Sequence, residues 1–197
     1  HPEHIARMRD ALQGVRRGGR PPAGTLTLKP RGPGGGPAPA PVGPTGLQEK
    51  LGKKFIVTVE ADPPRGFDLS RTLLEVGQLR ASGLVDAINV ADSPRAQGRM
   101  SALATCSLLQ SRLGVETVMH LATRHRNLVA LHSELLGAHA LGVRNIFVVM
   151  GDLPRIGDYP DATAFSDVTS SSLIRLIKGF NQGRDLAGKP LEQPTAF

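Results

Sequence analysis

Apolar and polar positions follow two alternating periods along most of this chain. Short apolar, β-branched runs recur about every thirty residues, and each is followed by a segment whose apolar residues return at helical spacing. We predict strands at 53–60, 85–90, 115–121 and 144–150, and helices at 69–81, 99–112, 127–141 and 168–182. Leu73, Leu74, Val76 and Leu79 are predicted to form the inner face of the first helix. This alternation indicates an α/β protein with a parallel sheet.

Four strand–helix units are compatible with an open doubly wound sheet or with a (β/α)₈ barrel. No strand leads into the Gly-x-Gly-x-x-Gly turn of dinucleotide-binding folds. Polar side chains instead stand at successive strand ends, which favours a TIM barrel of which this chain holds about the first four units. Since no turn or cap finishes a domain before Phe197, we expect a fragment of a larger protein.

The pattern before the first strand is different. Ile5, Met8, Leu12 and Val15 predict a short amphipathic helix within residues 1–17. From 18 to 46, seventeen of twenty-nine residues are Gly or Pro, a composition that cannot form a core. We therefore divide the chain into a helix that ends an upstream domain (1–17), a Gly/Pro-rich linker (18–50) and the first half of a barrel (51–197).

Charge and cysteine content exclude several classes of function. The net charge of +7 is concentrated in residues 1–50, with eight Lys/Arg against three Asp/Glu, so the barrel is nearly balanced and nucleic-acid binding is not expected. The single cysteine, Cys106, fits a helix core and cannot form an internal disulfide, which favours the cytoplasm. No run of eighteen apolar residues predicts a membrane span.

Acidic and histidine side chains stand at the predicted strand ends. Glu60 closes the first strand, the third ends at His120, and the fourth runs into Gly151 and Asp152. Because parallel strands end at one edge of a sheet, these residues are expected to share one active site. His125, His132 and His139 recur at seven-residue spacing, too far apart for one ion, so no metal site is predicted.

These strand-end motifs resemble the methylenetetrahydrofolate reductase family over about residues 53–197. The resemblance rests on four motifs in order: Val59-Glu60 before Pro-Pro-Arg-Gly, Asn89-Val-Ala-Asp92, His120-Leu-Ala-Thr-Arg124 and Gly151-Asp-Leu-Pro154. The segment 157–163 and the ending 194–197 resemble the subgroup fused to a homocysteine S-methyltransferase. Residues 2–5 resemble the last helix of that methyltransferase half.

The resemblance implies a flavoenzyme that uses NAD(P)H and FAD to reduce 5,10-methylenetetrahydrofolate to 5-methyltetrahydrofolate. Glu60 is then the candidate general acid that protonates a folate ring nitrogen, and Asp152 is the candidate charge beside the flavin and the developing iminium cation. On position alone, Glu60 could equally cap a turn or pair with Arg65, and Asp152 could hold a local Asx turn.

The resemblance also implies a set of cofactor contacts: Asn89, His120, Leu121, Thr123, Gly151, Asp152 and Asp167. Asp92 could contact flavin or substrate, or simply begin the turn that follows the second strand.

Two alternatives to the reductase remain open at this stage. One is a flavin-free barrel that uses Glu60 and Asp152 as an acid/base pair, such as a lyase or a pterin-linked methyltransferase. The other is a diverged, flavin-free barrel that serves as a folate-binding or scaffold half beside the methyltransferase. The isolated fragment is expected to be inactive, and the sequence leaves a homo-oligomer open.

Overall fold

A computed structural model of the chain describes residues 43–164 and 167–197. All of them belong to the compact unit Val42–Phe197. The helix predicted within residues 1–17 and most of the predicted linker lie outside the described residues. The helices are α1 (Gly46–Lys50), α2 (Ser70–Ser82), α3 (Ala102–Leu113), α4 (Leu128–Ala140) and α5 (Ser170–Asn181). The strands are β1 (Thr58–Ala61), β2 (Ala87–Val90), β3 (Thr117–Ala122) and β4 (Asn145–Val149).

The four strands form one parallel sheet in the order β1-β2-β3-β4. A doubly wound sheet would reverse its order at a switch point, whereas here each strand is added beside the previous one, as in a barrel wall. The predicted α/β fold with four barrel units is therefore confirmed. Within the described sheet, β1 and β4 are the two edge strands.

Several element boundaries differ from those predicted. Residues 53–57, predicted as the start of the first strand, precede β1 instead of forming part of it, and Phe55 among them is 87% exposed. The inner face of the first predicted helix is also different, because Leu74 is 64% exposed while Val76 is buried. Residues 46–50, assigned to the linker by composition, form α1, whose first turn is capped by the Thr45 hydroxyl.

The hydrophobic core lies between the sheet and its helices. Val90, Met119 and Leu121 project from the strands into this layer and are completely buried. Cys106 on α3 is a core residue, as predicted. His132 and His139 pack edge-on against Phe180 and Phe197, with ring centroids 4.9 and 5.5 Å apart. These two histidines therefore have packing roles.

Polar contacts tie α1 to the amino-terminal ends of the strands. The Thr45 hydroxyl donates to Asn145 Oδ1 at 2.7 Å, and Asn145 Nδ2 donates to Glu116 Oε1 at 2.6 Å. Lys50 and Lys54 both lie against Asp86, with Nζ–Oδ1 distances of 3.1 and 2.7 Å. These contacts make α1 part of the floor of the half-barrel. None of the helices in the described ranges is long and apolar enough to cross a membrane.

Candidate active site

One face of the sheet carries polar and aromatic side chains, whereas the core residues of the described helices pack against the opposite face. Successive side chains of a strand point to opposite faces, so the neighbours of the buried core residues face the barrel side. Glu60 pairs in register with Asn89, and His120 pairs with Phe147. These four residues lie near the carboxyl ends of the strands, as the motif spacing predicted for Glu60 and His120.

Glu60 is exposed on this face and has no hydrogen-bond or ion-pair partner among the residues that the structure describes. Arg65, the cation expected to compete for it, instead approaches Asp158, with an NH2–Oδ1 distance of 3.4 Å. The neighbouring Asn89 side chain donates to the Thr58 hydroxyl at 3.2 Å. The Glu60 carboxylate is thus available to a bound molecule.

His120 has a buried imidazole with one unused polar atom. Its ring centroid lies 5.0 Å from that of Phe147, and Nε2 has no hydrogen-bond partner among the described residues. Burial lowers the pKa of His120, although the negative charges of Glu60 and Asp92 oppose this effect. The Nε2 atom is therefore available to a bound molecule.

Asp152 is fixed by a distant part of the chain. Its Oδ2 accepts the backbone N–H of Arg95 at 2.7 Å, which is a long-range contact and not the local Asx turn considered from the sequence. The preceding Gly151 has φ +85°, and a Cβ there would lie 3.0 Å from the Cβ of Ala122. Glycine at 151 therefore allows the chain to leave β4 and present Asp152 at the sheet edge.

Three predicted cofactor contacts have side chains occupied elsewhere. Leu121 is completely buried in the core, so it can reach a cofactor only through its backbone. The buried Thr123 hydroxyl donates to the Met150 carbonyl at 3.3 Å. Asp167 accepts the Leu128 N–H at 2.9 Å, at the start of α4. Their roles in cofactor binding remain predictions.

Asp92 is engaged by Arg126, a residue that the sequence analysis did not single out. Asp92 Oδ2 accepts from Arg126 NH1 at 2.5 Å and from the Ala122 backbone N–H at 2.9 Å. Burial disfavours the charge of Arg126, but the hydrogen bond and charge of Asp92 and the charge of Glu134 outweigh this effect and raise its pKa. Asp92 therefore has a structural role. The only sequence feature that pointed to it was its position at the end of a buried strand.

Comparison with known families adds to this geometry. A model of the family described as methylenetetrahydrofolate reductase matches residues 47–194, which is well over half of the chain. The chain belongs to the methylenetetrahydrofolate reductase family. The match supports an oxidoreductase that acts on methylenetetrahydrofolate, in a family whose members generally bind FAD. A search of curated proteins gives no match.

The barrel-side face of this methylenetetrahydrofolate reductase domain fits a flavin ring. Phe147 is 54% exposed there, although it is a large apolar side chain, and offers an aromatic surface. The unpartnered Nε2 of His120 supplies a polar atom beside it. An aromatic heterocycle with hydrogen-bonding edges satisfies both features, and Gly151 and Asp152 lie at the same edge of the sheet.

Proposed function

We propose that this chain supplies half of the active site of a flavin-dependent methylenetetrahydrofolate reductase that uses NAD(P)H and forms 5-methyltetrahydrofolate. The other half would come from four further strand–helix units, because a closed barrel of this type needs eight strands. The observation that carries the proposal is that Glu60 on β1 and His120 on β3 share the barrel-side face of a sheet that matches this family, and that neither the Glu60 carboxylate nor His120 Nε2 has a hydrogen-bond partner among the described residues.

Glu60 is proposed to deliver the proton that opens the folate's five-membered ring. Protonation of a ring nitrogen converts it into a leaving group and generates an electrophilic iminium carbon. The carboxyl group is exposed to the barrel side and makes no competing ion pair with Arg65. Among the described residues the carboxyl group therefore caps no turn, which leaves it available for the proposed proton transfer.

Asp152 is proposed to stabilise the cation that forms as the ring opens. A carboxylate held in place before the reaction stabilises a developing positive charge by roughly a few kcal/mol in a site with little water. The backbone N–H of Arg95 holds one of its oxygens, and the side chain remains exposed. The residue can therefore be oriented and still face a ligand.

FAD, when bound, would supply hydride transfer from NAD(P)H to the one-carbon unit. His120 and Asn89 are proposed to orient its ring through their polar atoms, with Gly151 and the backbones of Leu121 and Thr123 shaping the edge of the pocket. We also propose that Asp167, which follows β4, contacts the cofactor. We further propose a cytoplasmic protein and fusion to a homocysteine S-methyltransferase, the latter on the resemblance of residues 2–5.

A substitution at Glu60 separates the two halves of the proposed reaction. In the natural full-length protein that carries this chain, Glu60→Gln should leave flavin reduction by NAD(P)H intact and slow folate reduction by at least about 100-fold. Glu75→Gln is the matched control, since Glu75 lies on α2 and pairs with Arg71 at 2.8 Å. Equal folate reduction by both variants would rule out Glu60 as the acid.

A further inference from the structure

The loop between β2 and α3, residues 91–101 and here termed the β2 loop, has an unusual backbone. Ser93, Arg95 and Ala96 adopt positive φ angles of 48°, 59° and 52°. Residues other than glycine rarely adopt this conformation, and it persists only where the surrounding structure enforces it. Hydrogen bonds from the loop that follows β4 reach Arg95 and Ala96 within this turn, whereas Met100 at the end of the β2 loop donates to the Pro64 carbonyl.

The loop after β4, residues 150–164 and here termed the β4 loop, is hydrogen-bonded to the β2 loop through two aspartate side chains. Asp152 accepts the Arg95 N–H at 2.7 Å, and Asp158 Oδ2 accepts the Gly98 N–H at 2.9 Å. The Asp158 N–H also donates to the Ala96 carbonyl at 3.3 Å. Since β3 separates β2 from β4, the two loops meet across the end of the strand that carries His120.

Gly157 allows the β4 loop to approach closely enough for the contacts of Asp158 with the β2 loop. A Cβ at this position would lie 2.0 Å from the Ala96 carbonyl oxygen, a backbone atom that cannot move aside easily. The other oxygen of Asp158 lies 3.4 Å from Arg65 NH2, in the loop after β1. Asp158 thus contacts the loops that follow the first two strands while belonging to the loop that follows the fourth.

We propose that Asp158 is a positioning residue for Asp152: by holding the β2 loop at Gly98, it fixes the Arg95 N–H that orients the Asp152 carboxylate. The consequence for the reaction rests on the function proposed above, in which Asp152 faces the reacting cation. The connection runs through backbone groups, from Asp158 to Gly98, along the strained turn to Arg95, and then to Asp152.

Hydrogen exchange tests this connection without any cofactor. In the full-length protein, Asp158→Ala should speed exchange at both the Arg95 and Gly98 amides by about tenfold or more, as expected for loss of a charge-assisted hydrogen bond. Overlapping peptides separate the two amides, and β3 serves as the internal reference. Asp158→Asn retains an acceptor oxygen and should preserve most of the protection. Asp161→Ala, an exposed aspartate in the same loop, is the control for charge and should change neither amide.

Faster exchange at the Gly98 amide with unchanged exchange at the Arg95 amide would overturn the proposal. Asp158 would then protect only the amide that it contacts directly. A second readout links it to the reaction: Asp158→Ala should lower kcat for folate reduction while leaving the KM for NAD(P)H unchanged. Should Asp152→Ala leave folate reduction intact, the proposed role of Asp152 fails, whereas the exchange data still decide the loop connection.

Discussion

Asp92 and Arg126 form a two-point ion pair at the carboxyl ends of β2 and β3. Arg126 NH1 donates to Asp92 Oδ2 at 2.5 Å, and NH2 donates to Oδ1 at 3.2 Å. The Asp92 side chain is only 3% exposed and also accepts the Ala122 N–H. The pair therefore ties the end of β2 to the end of β3, the strand that carries His120.

Removing the Asp92 charge should destabilise the protein strongly. Asp92→Asn leaves a mostly buried guanidinium without its closest counter-charge, so the free energy of unfolding should fall by about 3 kcal/mol. Urea denaturation measures this loss. Glu134→Gln is the control, since Glu134 lies 3.7 Å from the same guanidinium and should cost less than about 1 kcal/mol. Similar losses from the two variants would contradict the assigned importance of the pair.

Gly151→Ala should disturb the candidate site more than the fold. The new methyl group would meet the Ala122 Cβ at 3.0 Å on a backbone with φ +85°, so we expect a loss of about 1–3 kcal/mol in stability and weaker flavin binding. Gly66→Ala, where a Cβ meets no atom within 4 Å, should change stability by no more than about 0.5 kcal/mol. Flavin affinity measured by fluorescence quenching compares the two variants.

Acidification should destabilise the fold through the buried His120 and the half-buried His139. Burial lowers the pKa of both His120 and His139, and Arg144 adds to the effect at His139. The unfolded chain therefore binds more protons just below the unfolded histidine pKa of about 6.5, so stability should fall as the pH drops from about 7.5 through that value. Tm measured across this range should fall less steeply for His139→Gln than for the unmodified protein. If Tm fell equally steeply with pH in both proteins, His139 would not contribute to the acid sensitivity.

Cys106 should be unreactive in the folded protein. Its side chain is completely buried, and burial raises the pKa of its thiol to about 12. Labelling by a thiol reagent should be at least about a thousandfold slower than in denaturant, because it requires the chain to open. Rapid labelling under native conditions would show that α3 does not cover the sheet as described.

The sequence pattern predicted the elements that the core depends on. Strand spacing, together with the strand-end positions of Glu60, His120 and Asp152, was enough to place these residues at one edge of a parallel sheet. The register then sets Glu60 and His120 on the barrel-side face. The apolar run that begins at Phe55 does not show where pairing begins, so the predicted strand starts at 53 although β1 starts at Thr58.

The contacts that orient the site could not be predicted from local pattern. Asp152 and Arg95 are 57 residues apart, and their hydrogen bond depends on how two long loops meet. The partner of Arg65 was ambiguous for the same reason, because Glu60 is near it in sequence while Asp158 is near it in space. Long-range polar contacts of this kind leave no periodic pattern in the sequence from which they could be predicted.

The central claim is that this chain forms part of a flavin reductase, and a visible absorption spectrum tests it most directly. The natural full-length protein that carries the chain would be supplied with FAD and then treated with NADH in the absence of oxygen. We expect flavin bands that bleach with NADH and return when methylenetetrahydrofolate is added. A protein that stays colourless after FAD is supplied would contradict it and would favour a flavin-free, folate-binding barrel.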